Sequence, residues 1–133
     1  MAGQDLVVFD RFWKRCVATV VDGTPTAETP QVGPDEEWIV DAIALSASPY
    51  VPCVCALYHD SVSPANFVIL SQNGGLDTFE GELVIPGGSS LLFAWSGEVG
   101  SSTLVARIHV NRAKVLTPPT DYTLATWRGP RLR

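Results

Sequence analysis

The sequence predicts an all-β domain, an antiparallel β-sandwich or jelly roll of about seven to eight strands. Three observations predict it: several short segments alternate apolar and polar residues, Gly-, Pro- and Ser-rich turns separate those segments, and no strand–helix–strand unit interrupts them. The 133 residues suit one core, and a hydrophobic share of 46% against a charged share of 17% is enough to fill it.

Residues 5–15 are ambiguous. Val8, Phe9, Phe12, Trp13, Cys16, Val17, Val20 and Val21 fall in pairs every four positions, which fits one face of a helix. From Cys16 the residue types favour a strand and Asp22-Gly23 closes it as a turn, so we expect an N-terminal arm or short helix over 1–15 and a strand over 16–21. Residues 24–37 hold Pro25, Pro30 and Pro34 and are expected to form a long surface loop inside a β-sandwich domain spanning 16–116. Strands are expected over 38–47, with Ile39, Ile43 and Leu45 on one face and Asp41 marking a nearby edge, and over 51–59, 67–70 and 78–85. The segments 91–96 and 103–115 are expected to form a hairpin across the turn at 97–102. In the second of them Leu104, Ala106, Ile108 and Val110 face the core, with Val105, Arg107, His109 and Asn111 opposite. Residues 117–133 have no core-forming period and read as an extended C-terminal docking tail.

The net charge of −5 is unevenly spread. No Lys or Arg lies between Cys16 and Ala106, a stretch with eleven acids; the two ends together hold nine cations and three acids, a balance of +6. If the termini meet in space, one pole of the molecule is basic and the rest acidic, which suits an acidic partner or a neighbouring copy. The candidate partner-binding residues are therefore Arg11, Trp13, Lys14 and Arg15 in the arm and Tyr122, Leu124, Trp127, Arg128, Arg131 and Arg133 in the tail, since exposed aromatics and arginines supply area and hydrogen bonds at modest entropic cost. The acidic body disfavours nucleic acid. Neither a membrane span nor a signal peptide is legible, so synthesis in a cytoplasm is expected.

No constellation announces chemistry. Cys53, Cys55 and His59 share a strand face without the close spacing on a turn that a zinc site uses, so no metal or other cofactor is expected and the thiols are read as core. Ser89 lies in a turn rather than on a strand-to-helix elbow, His59 and Asp60 point to opposite faces, and Glu80 and Glu82 lack an apolar pocket that would raise one carboxyl. Pro86-Gly87-Gly88 lacks a phosphate loop's lysine. The chain is not expected to be an enzyme.

The segments "EEWIVDAIALSAS", "VCALYHD" and "LVIPGGSSLLFAWSGEVGSSTLVARIHV", between a Trp-led strand and a closing "SG…G" turn, resemble the small β-sandwich structural proteins of tailed bacteriophage virions. "FDRFWKR" and "WRGPRLR" have no counterpart in that pattern. The resemblance implies a virion protein made in the host cytoplasm, a capsid decoration or cement protein or a neck or tail component. Its partners would be other virion proteins (major capsid, portal/neck or tail proteins) and sister copies in a trimer or ring. The alternative is a carbohydrate- or receptor-binding β-sandwich module, with exposed Trp38, Trp95 or Tyr58 as a stacking platform.

Overall fold

The computed structural model describes residues 5–21, 23–97 and 99–116. Among them are nine strands: β1 (Asp5–Val17), β2 (Thr19–Val21), β3 (Thr24–Glu28), β4 (Glu36–Ser48), β5 (Cys53–His59), β6 (Phe67–Ser71), β7 (Leu76–Ile85), β8 (Leu91–Gly97) and β9 (Thr103–Leu116), with one 3-10 turn at Pro64–Asn66. They form two antiparallel sheets, a four-stranded one in the order β1-β9-β4-β7 and a five-stranded one in the order β2-β3-β8-β5-β6. The chain changes sheet at every connection except β2–β3 and β5–β6. That winding, with β9 between β1 and β4 and β8 between β3 and β5, is the jelly-roll form of a sandwich.

The core lies between the sheets. Val40, Ile43, Leu45, Ile108 and Val110 from the four-stranded sheet meet Cys55, Leu57, Leu91, Phe93 and Trp95 from the other. Leu104, Ala106, Ile108 and Val110 all point inward as the alternation requires.

Several expectations are overturned. Residues 5–15 are neither an arm nor a helix: β1 runs to Val17 and pairs with β9 from Asp5↔Leu116 to Val17↔Val105. The four-residue spacing arises because β1 buries Cys16 and packs Phe12 on the core while exposing Trp13 and Val17 on the other face. Tertiary pairing of a Val- and aromatic-rich segment outweighs the helical period. The loop expected at 24–37 contains β3, in which Pro25 is tolerated because it lies beyond the pairing with β8, which begins at Thr26. It also buries Ala27, Thr29 and Val32, and its remainder is stitched to the β7–β8 turn by Val32 N to Ser89 O at 2.9 Å and Gly88 N to Val32 O at 2.8 Å. Gly87 must be glycine-sized there, because a Cβ would come within 2.6 Å of the Gly33 carbonyl oxygen. The segments 91–96 and 103–115 are not a hairpin; β8 and β9 lie in different sheets.

Strand β4 is central, and Asp41 does not mark an edge. The register shifts between Val40 and Ala42 against both neighbours. Trp38 and Val40 point inward before the shift and Ile43 and Leu45 after it, so Ile39 is on the opposite face from Ile43. A bulge does this by inserting one unpaired residue and reversing the phase of the alternation.

Candidate functional site

The outer face of the four-stranded sheet carries the densest set of polar and aromatic side chains near the predicted residues. The register sets Trp13 beside His109, His109 beside Ala42 and Ala42 beside Glu80 in one row across all four strands. The bulge turns Asp41 outward into this row. Ala42 and Gly81 have little or no side chain, so a shallow trough runs between Trp13 and Glu80 over Asp41 and His109.

A hydrogen-bonded chain holds one wall of the trough. Arg11 Nε donates to Asn111 Oδ1 at 3.0 Å. Asn111 Nδ2 donates to Asp41 Oδ2 at 3.0 Å and to the Ile39 carbonyl at 3.1 Å. Asp41 Oδ1 lies 2.7 Å from His109 Nδ1, and the imidazole packs against Trp13 with ring centres 5.1 Å apart. The bond from Asn111, then that to His109, holds the Asp41 carboxyl below the usual carboxylate range. At one end of the sheet Arg112 grips Glu36 through Nε–Oε1 at 2.7 Å and Nη2–Oε2 at 2.8 Å and stands 4.8 Å over the Phe9 ring. Lys114 Nζ lies 3.1 Å from Asp35.

Of the predicted residues, β1 brings Arg11, Trp13 and Arg15 to the outer face and exposes all three, Trp13 by 58%. Lys14 belongs to the opposite phase with Phe12 and Cys16 and is half-buried. Tyr122, Leu124, Trp127, Arg128, Arg131 and Arg133 lie outside the described residues. The stacking platform is overturned in two of its three members, since Trp38 and Trp95 are buried at 7% and 0% exposure; Tyr58 is half-buried with its ring edge against Phe67. Asp41, His109 and Asn111 were missed as a group. The signal was an acid in the middle of an otherwise apolar strand.

Asp41 orients the imidazole, and among the described residues no hydroxyl or thiol hydrogen-bonds to it. Burial pushes the thiols of Cys16, Cys53 and Cys55 up, so each is a small apolar core group. Among the described residues no three His, Cys, Asp or Glu side chains gather as metal ligands, and no helix is long and apolar enough to cross a membrane.

No protein-family model matches the chain, and no curated protein matches it. One solved structure aligns, a cleaved adhesin domain of Lys-gingipain from Porphyromonas gingivalis, over 90% of this chain and 93% of that one, at 14% identity and a TM-score of 0.28. A superposition that loose carries no argument about fold or function.

Proposed function

We propose that the chain is a non-catalytic structural and docking part of a virion, a decoration, neck or tail component that attaches to other virion proteins and to sister copies. The observation that carries this reading is β1, a strand of 13 residues at the edge of its sheet, with β9 as its one strand partner among the described residues. Its outward backbone is unpaired among the described residues, and it exposes Leu6, Val7, Phe9, Trp13 and Val17. A long open edge flanked by exposed apolar side chains is a template for another chain. Arg11 and Arg15 add hydrogen-bonding and charge to the same surface.

The test is occupancy on purified particles. Trp13→Ala in the full chain, and separately removal of residues 117–133, should each reduce the protein bound per particle while leaving a folded, soluble body. Unchanged occupancy in both variants, or absence of the wild-type protein from particles, overturns the reading.

One observation favours a second reading, a carbohydrate-binding module. Trp13 stands exposed at one end of a trough whose other groups, Asp41, His109 and Glu80, are the hydrogen-bonding types that fix a sugar stacked on an indole. Glycan-array binding by the full chain that disappears with Trp13→Ala would favour it over docking.

A further inference from the structure

Among the described residues the four-stranded sheet has two open edges, and their net charges are opposite. β1 carries Arg11, Lys14 and Arg15 against Asp5 and Asp10, three cations less two acids or +1, and β7 at the far edge carries Asp77, Glu80 and Glu82 with no cation. Both sides of the sandwich also expose apolar surface. On the first these are Phe9, Trp13 and, from β2, Val20 at 70% exposure; on the second, Leu76 and Val84 of β7 with Ile69 and Leu70 of β6. A hollow of about 220 Å³ opens on that second side, lined by Val68, Ile69, Phe79 and Leu83. A cavity of roughly 150 Å³ already admits a benzene ring, so this one can take a large apolar side chain.

Resting on the docking reading above, we infer that the occupant of the β1 edge is the β7 edge of a second copy, joined head to tail so that the sheet continues from molecule to molecule. Strand direction permits it. All pairings in the sheet are antiparallel, so β1 and β7 run in opposite senses, and a neighbour set beside β7 in the same orientation presents its β1 antiparallel. Extending the row that already joins Trp13 to Glu80 places the neighbour's Trp13 opposite Glu80. Antiparallel counting then places its Arg11 opposite Glu82, its Arg15 diagonal to Glu80 and its Lys14 diagonal to Asp77. Facing charges at these positions attract, and diagonal ones lie within reach of long side chains.

The same charges disfavour the symmetric alternatives. Two β7 edges together would set three acids against three with no cation between them, and two β1 edges would set a net charge of +1 against its copy, where the β1–β7 contact sets it against −3. A head-to-tail contact closes into a ring or extends as a filament, according to the rotation between neighbours.

The experiment is sedimentation of the full chain over a range of concentrations and salt, with two charge-reversed variants. One carries Arg11→Glu and Arg15→Glu; the other carries Glu80→Arg and Glu82→Arg. All four side chains are exposed, so the body should keep its unfolding temperature. The wild type should form species larger than a monomer, with a dissociation constant raised about tenfold or more between low and high salt. Each variant alone should be monomeric, because its two edges now carry like charge. Mixed in equal amounts they should associate again, since each edge then meets its opposite.

A wild type that is monomeric throughout, a reversal without effect, or a mixture that stays monomeric overturns the inference. If a reversed variant loses its fold, Arg15→Gln and Glu80→Gln replace the pair, and each must weaken association. A monomeric chain that still occupies particles removes this inference alone, and a self-associating chain absent from particles removes the docking reading alone.

Discussion

Glu36 and Arg112 meet through two short parallel hydrogen bonds, with Glu36 exposing only 13% of its side chain. Arg112 holds the Glu36 carboxyl below its ordinary value. A carboxyl whose value is lower folded than unfolded stabilises the fold above the unfolded value, about 4.3, and this contribution fades as pH falls through the folded one. Glu36→Gln should therefore lower the melting temperature by a few degrees at neutral pH and by progressively less below about pH 4, read by thermal unfolding across pH. An equal loss at every pH would mean that packing, and not the charge, is what the substitution removes. At this scale the sequence was legible where residues are of one character. Leu104, Ala106, Ile108 and Val110 could only be core. It misled at the tryptophans, which have both an apolar body and a donor. Both misread tryptophans are core: Trp95 Nε1 gives a hydrogen bond of 3.0 Å to the Gly74 carbonyl, while Trp38 Nε1 is buried without a partner among the described residues.

Elements were legible where a short apolar run is bounded by turn residues, as in β5 and β8, or where apolar and polar residues alternate, as in most of β9. β1 has apolar residues on both faces, which is what an open edge with a sticky outer surface looks like, and a helical period fits such a pattern equally well. The bulge in β4 was illegible for a different reason. One extra residue shifts the phase without changing composition, and Asp41 looked like an interruption when it is the inserted position. Deletion of Asp41 should then be far worse than its substitution. Without the extra residue, either Trp38 and Val40 or Ile43 and Leu45 would face solvent, a loss of several large buried side chains at about 1.5–3 kcal/mol each, enough to abolish folding. Asp41→Asn keeps the bulge and a hydrogen-bonding side chain 47% exposed, and should shift the denaturant midpoint only slightly. A folded deletion variant would show that the phase reversal has another source.

Over the whole molecule, the charge asymmetry read along the chain becomes asymmetry in space through one pairing. β1 and β9 are neighbours over nearly their full length, so Arg11, Lys14, Arg15, Arg107, Arg112 and Lys114, all the cations among the described residues, occupy two adjacent strands. The meeting of the two ends was legible as an expectation about compact domains. That they would meet as paired strands was not, because long-range pairing leaves no local pattern in either partner. The pairing can be tested without touching any side chain in it. Asp5 and Leu116 are direct cross-strand partners, with Cα atoms about 5 Å apart by strand geometry, so a short glycine linker can join them. New ends can be opened between Gly100 and Ser101, both exposed in the turn that carries the chain from one sheet to the other. The permuted body should show the same circular dichroism spectrum and a melting temperature within several degrees of the unpermuted body spanning 5–116, since every sheet pairing survives. A permutant that fails to fold, with the same linker tolerated inside the 97–102 turn of the normal chain order, would mean that β1 and β9 are not partners along their length.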